Sequence, residues 1–263
     1  MRVLRVFLLL AVAFAPPGVA GSSTPDGPVE PPLSPGYHRL ELAMEGGWTL
    51  RYGLHVPKKT PAAGVPLVLA LHYGGRPTPY YGLGFMKLLV VPGLGDLGAI
   101  IVAPDCPGRG WTAARSEEAV LALLDHVEAR WPVNRDRVVV TGFSMGGIGS
   151  WFYARRHPDR FRAAIPVAGR PAGEPHGEVP VFAIHSSRDE IIELEPTRRA
   201  IDALRERDIP AELIVVHGPT HYQTGRFARP LSRSIRWLEG VWGPPKRTAS
   251  PIDTMPRTEE RAP

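Results

Sequence analysis

Short apolar runs alternate with amphipathic stretches along most of this 263-residue chain. Residues 66–72 (PLVLALH), 99–104 (AIIVAP) and 137–141 (RVVVT) are nearly continuous in apolar side chains, the pattern of strands buried on both faces. Residues 163–167, 179–185 and 212–217 predict three more strands. Between the runs, residues 117–130 carry Val120, Leu121, Leu123, Leu124 and Val127 at helical spacing. Residues 146–156, 196–207 and 230–238 predict further helices. Ahead of them, residues 37–43 and 48–56 predict a hairpin around Gly46-Gly47. Buried strands that alternate with helices imply an α/β fold: a mostly parallel central sheet with helices on both faces. Ligands of such sheets sit beyond the carboxyl ends of the strands.

The two ends read differently. Arg2 and Arg5 flank an apolar run over residues 6–15, Pro16-Pro17-Gly18 breaks it, and Gly18-Val19-Ala20 offers small residues at a cleavage site. That is the layout of a secretory signal over residues 1–20, too short for a permanent membrane span. The alternative is an uncleaved anchor or a buried N-terminal helix. The expectation is an exported protein, secreted or periplasmic, with no stable membrane anchor after cleavage. Residues 21–36 are rich in Pro, Gly and Ser and read as a flexible leader, and residues 244–263 as a disordered tail. One folded domain over residues 37–243 is expected, without internal repeats.

Composition changes this picture little. Hydrophobic residues make up 43% and charged residues 22%, ordinary for a globular protein. The net charge of +5 falls to +3 without Arg2 and Arg5. No basic stripe interleaves with aromatics, so nucleic-acid binding is not supported. Cys106 is the only cysteine, so no intramolecular disulfide can form. It reads as a half-buried thiol near a strand end rather than a nucleophile.

The candidate chemistry centres on Gly142-Phe143-Ser144-Met145-Gly146-Gly147, which follows one predicted buried strand and precedes a predicted helix. This is the setting of a nucleophile elbow, with Ser144 on a sharp turn. A serine needs a base and an orienting acid. The chain order in such folds is Ser, then Asp or Glu, then His. Asp189 lies just past the strand that ends near His185, with Glu190 as its rival. His221 sits on a loop past the next strand, with the strand-end His217 as its rival. His185 reads as a packed, hydrogen-bonded histidine. His217 and His221 are four apart, but Gly218 and Pro219 forbid a chelating helix, so neither a metal nor a cofactor is called for. The oxyanion of acyl transfer needs two preset N–H donors. The backbone N–H groups of Met145 and Tyr73 are the candidates, with Gly74 as the alternative to Tyr73.

The stretches LHYGG, IIVAPDCPGRGW, DRVVVTGFSMGGIGSWFYARRHPDRFRAAIPVAG, FAIHSSRDE and HGPTHY resemble the phospholipase/carboxylesterase and esterase–depolymerase (feruloyl/polyhydroxybutyrate-type) branch of the α/β-hydrolases. The resemblance covers about residues 48–240 and is most specific over 136–169. It implies a Ser–Asp–His triad at Ser144, Asp189 and His221, the same residues reached above. Tyr73 stands where that branch usually has Gly after the His of the oxyanion loop, which crowds the site.

Lids in this fold commonly follow the strand after the nucleophile helix. Here residues 169–178 make an ordinary loop, so an open site without a large cap is expected. That favours small soluble esters or esters linked to a polymer. Trp111, Tyr73 and His72 are candidates for lining the groove. The leading reading is a carboxylic ester hydrolase. A serine peptidase of the prolyl-peptidase-like type and a non-catalytic binding protein on the same fold are the alternatives.

Overall fold

The structure is a computed structural model, and it describes residues 33–59, 64–171, 173 and 177–243. The expected signal segment 1–20, most of the expected leader and the expected tail 244–263 lie outside the described residues.

In chain order the elements begin with strands β1 (Gly36–Met44), β2 (Trp48–Val56) and β3 (Val65–Leu71). Short helices α1 (Tyr81–Phe85) and α2 (Val91–Leu94) follow, then β4 (Ile100–Pro104), α3 (Ala114–Arg130), β5 (Val133–Phe143) and α4 (Met145–Arg156). The chain continues through β6 (Ala163–Val167), β7 (Val181–Ser186), α5 (Leu194–Arg205), β8 (Ala211–Val216), α6 (Ala228–Ser232) and α7 (Ser234–Trp242). The strands form one eight-stranded sheet in the order β1-β2-β4-β3-β5-β6-β7-β8. β1 pairs antiparallel with β2, and β2 with β4; every other neighbouring pair is parallel.

The continuous apolar runs are explained by two cores, one on each face of the sheet. Successive side chains of a strand point to opposite faces. Leu67, Leu69 and Leu71 of β3 enter one core with Val120, Leu123 and Val127 of α3 and Trp151 of α4. Val68 and Ala70 enter the other with Leu83, Phe85, Phe227 and Leu238. β4 and β5 divide in the same way: Ile100, Val102, Val138 and Val140 face the first core, and Ile101, Ala103 and Val139 the second. A strand buried on both sides has no polar face to show in its sequence.

Two regions depart from the expected pattern. The predicted helix over 230–238 is two helices, α6 and α7. The buried Ser234 hydroxyl donates to Leu231 O at 2.7 Å, and Arg233 N–H bonds Pro230 O at 3.2 Å, so the turn tightens at Arg233 between them. The second region, residues 81–97, has no predicted helix because its glycines and Pro92 obscure the pattern, yet it is helical. Two of its glycines allow close contact: a Cβ on Gly82 would lie 2.4 Å from Ala103 O, and one on Gly93 2.6 Å from Leu231 Cδ2. Asp105 secures the entry to α1 by accepting from the N–H groups of Tyr80 (2.7 Å) and Gly82 (3.0 Å).

Candidate active site

β5 and α4 meet at Ser144, whose φ of 56° and ψ of −113° place a non-glycine residue in strained backbone territory. The strain is held by contacts on all sides. Ser144 N–H donates to Val167 O at 3.0 Å, and Ser144 O accepts from Ile148 N–H at 2.9 Å. The flanking glycines are required sterically: a Cβ on Gly142 would stand 2.4 Å from Gly146 O, and one on Gly146 1.8 Å from Leu71 O. The turn is therefore wedged between the end of β3 and its own helix. It presents the Ser144 side chain at the carboxyl end of the sheet, next to the first turn of α4, whose N–H groups have no partner within the helix.

Two loops further along the sheet, beyond β6, bring Asp189 and His221 to it. The turn after β7 carries Asp189, and the loop after β8 carries His221. His221 Nε2 lies 2.8 Å from Ser144 Oγ, and its Nδ1 lies 2.8 and 2.9 Å from the two oxygens of Asp189. The Asp189 side chain is 1% exposed and that of His221 7%. Burial alone would raise the Asp189 carboxyl. The outcome is the reverse, because His185, His221 and the N–H groups of Ile192 and Ile191 all bond it and hold it well below the usual carboxylate range. An ionised carboxylate only accepts, so His221 carries its proton on Nδ1 and leaves Nε2 free to accept from the Ser144 hydroxyl. An imidazole in this position is able to take a proton from Ser144 and keep the resulting charge beside Asp189.

The rival residues occupy other places. His217 is exposed, with its Nδ1 3.0 Å from Ser187 Oγ. Glu190 does not approach the His221 ring; it accepts from the His221 main-chain N–H at 3.0 Å. His185 is fully buried and hydrogen-bonded: its Nε2 is 2.9 Å from Ile192 O and its Nδ1 3.2 Å from Thr197 Oγ1. It does more than pack, because its Nε2 also lies 3.4 Å from Asp189 Oδ2. Nothing in its sequence position signalled that contact. Among the described residues no group of three or more His, Cys, Asp and Glu is placed to hold a metal ion.

The loop after β3 lies beside the start of α4. A Cβ on Gly74 would stand 3.9 Å from Met145 Sδ, which brings the segment of Tyr73 and Gly74 next to Met145. Two groove assignments made from sequence need correction. Trp111 is 1% and His72 2% exposed, and neither lines the cleft. They support the loop from beneath. Trp111 Nε1 donates to His72 O at 2.8 Å, while the His72 ring donates to Tyr73 O at 2.7 Å and accepts from Cys106 N–H at 3.0 Å. Burial lowers the His72 pKa, in keeping with a neutral ring that donates on one side and accepts on the other. Cys106 is half-buried just past β4, its thiol 3.5 Å from Ser116 Oγ.

The cleft above Ser144 has a volume of about 690 Å³. Tyr73, Phe143, Ser144 and His221 line it, with Leu88, Ile191 and Tyr222 around them. Leu88 belongs to the helical segment that the sequence pattern did not reveal.

With this geometry in view, comparison with known proteins places the chain. Residues 66–232 match the family model described as the alpha/beta hydrolase fold, and the chain belongs to that family. A candidate carboxymethylenebutenolidase of Salmonella typhi is 31% identical over 129 residues, covering 43% of this chain and 47% of that protein. The chain thus spans about half the length of the curated relatives it matches. Among solved structures, a thermostable esterase superposes with a TM-score of 0.66 at 23% identity, covering 78% of this chain and 62% of that one. A ferulic acid esterase superposes with a TM-score of 0.62 at 18% identity, covering 80% and 99%.

Proposed function

We propose that this chain is a serine hydrolase that cleaves carboxylic esters through an acyl-enzyme on Ser144. The observation that carries the reading is the single imidazole of His221, bonded at once to the Ser144 hydroxyl and to a buried, ionised Asp189. In the first half-reaction Ser144 Oγ attacks the ester carbonyl carbon while His221 Nε2 takes its proton. The backbone N–H groups of Met145 and Tyr73 receive the oxyanion. Collapse breaks the bond to the alcohol oxygen, which leaves with the proton from His221. Water then repeats the sequence on the acyl-enzyme, returns the carboxylic acid and restores Ser144. Asp189 keeps His221 in the required tautomer and stabilises its protonated form.

Esters rather than amides are favoured by the names of the similar proteins, two of which are esterases. The cleft suits a small or polymer-linked ester, reached outside the cytoplasm if residues 1–20 direct export. The test is labelling with a fluorophosphonate probe, followed by turnover of short esters, long esters and peptide amides. Wild type is expected to label and Ser144→Ala not to label; equal labelling of both would refute the assignment. Turnover confined to peptide amides would make the protein a peptidase.

A further inference from the structure

We infer that Glu190 is a positioning residue for the reaction proposed above: its carboxylate holds the main chain of His221 while the adjacent Asp189 holds the ring. The inference rests on that reading of Ser144, Asp189 and His221.

His221 has to satisfy two partners at once, with Nε2 2.8 Å from Ser144 Oγ and Nδ1 2.8 Å from Asp189 Oδ2. A ring of fixed size meets both only if its Cα is placed correctly, since a displacement of about 1 Å breaks one bond or the other. The loop that carries it starts loosely. Gly218 has a φ of +115° and open space where a side chain would be, so nothing there holds the backbone sterically. The loop is held by polar contacts. Thr220 N–H bonds Gln223 Oε1 at 3.0 Å within the loop itself. Two further contacts reach across to the end of β7 and the turn after it. The Ser186 hydroxyl donates to Pro219 O at 2.5 Å, and Glu190 Oε2 accepts from His221 N–H at 3.0 Å.

Of these contacts, the one from Glu190 touches the histidine itself. Phe143 packs against the ring with centroids 5.2 Å apart, which limits its tilt but makes no bond to it. Asp189 and Glu190 are consecutive, so the turn that orients the imidazole also sets the height of its Cα. Acid and base then share one frame, and a movement of that turn carries both.

Glu190→Ala and Glu190→Gln separate this role from the alternatives. The Gln amide oxygen still accepts a hydrogen bond, whereas Ala offers none. With p-nitrophenyl acetate as substrate, Glu190→Ala is expected to lower kcat by about 10-fold or more, with KM within about twofold and the thermal midpoint unchanged. Glu190→Gln is expected to restore kcat to within about threefold of wild type, a rescue that loss of charge alone would not permit. Wild-type kcat in Glu190→Ala, or an equal loss in both variants, would overturn the inference. If Ser144→Ala fails to label and Asp189→Asn is inactive while Glu190→Ala is unaffected, this inference alone fails. If Asp189→Asn keeps activity and Glu190→Gln loses it, Glu190 is the orienting acid and the assignment of Asp189 fails with the inference. Labelling of Ser144→Ala would refute the underlying reading.

Discussion

Ser144 and His221 meet across 2.8 Å, but the two sides of that contact are built by different physics. The Ser144 side is steric. Gly142 and Gly146 lie so close to backbone oxygens that an added methyl group has nowhere to go. The His221 side is polar: Asp189 Oδ1 accepts from Ile191 and Ile192 N–H, Glu190 accepts from His221 N–H, and Ser186 donates to Pro219 O. A steric site is rigid and intolerant of volume. A polar site is tolerant of volume and sensitive to charge and proton count. Substitutions on the two sides should therefore fail in different ways.

The largest expected effect is on chemistry. Ser144→Ala should lower kcat by roughly 10⁴-fold or more while leaving the fold intact, measured on an activated ester. Asp189→Asn should follow at about 10⁴-fold, because an amide no longer stabilises the charged imidazole. A nearly wild-type rate for Asp189→Asn would mean that the polar side is not organised around this carboxylate. Gly146→Ala tests the steric side. The new methyl would lie 1.8 Å from Leu71 O, so denaturant unfolding should show a loss of about 3 kcal/mol or more, or no folded protein. Tolerance of that methyl would show that the elbow is softer than its contacts suggest.

A smaller effect belongs to pH. The Asp189 carboxyl has an ordinary value of 3.8 in an unfolded chain and titrates well below it when folded. Between those limits the folded state binds fewer protons, so stability rises with pH through that window and is fully present above it. Acid unfolding of the wild type should be steeper below pH 4 than that of Asp189→Asn, and identical profiles would contradict the bonding seen at Asp189. The smallest effect is set beneath the loop after β3. Trp111→Phe keeps the ring near Gly149 but removes the donor to His72 O, and should cost about 1 kcal/mol in thermal unfolding.

How much of this was legible beforehand follows the same division. The buried strands were readable because a strand covered on both faces carries apolar residues at nearly every position. The elbow was readable because its geometry demands glycine at 142 and 146 on either side of Ser144. The strand-end places of Asp189 and His221 were readable, but so were those of their rivals Glu190 and His217. Residues 81–97 were not, because their buried stripe of Leu83, Met86, Leu89, Val90 and Leu94 is masked in the sequence by glycines, Pro92 and apolar residues such as Leu88 on the exposed side. The groove was misread for a related reason. Trp111 and His72 are amphipathic side chains near the right strand ends, and nothing local distinguishes lining a cleft from supporting its floor.

The succession of strands along the chain and the glycine-flanked turn at Ser144 were thus determined by local sequence, since each rests on near-neighbour periodicity or on the steric demands of one turn. Three matters were decided only in three dimensions: which carboxylate takes the ring of His221 and which its main chain, the contact of His185 with Asp189, and the burial of Trp111 and His72. The first depends on how the loops after β7 and β8 converge, the second on how the turn after β7 folds back on its own strand, and the third on how the loops after β3 and β4 meet.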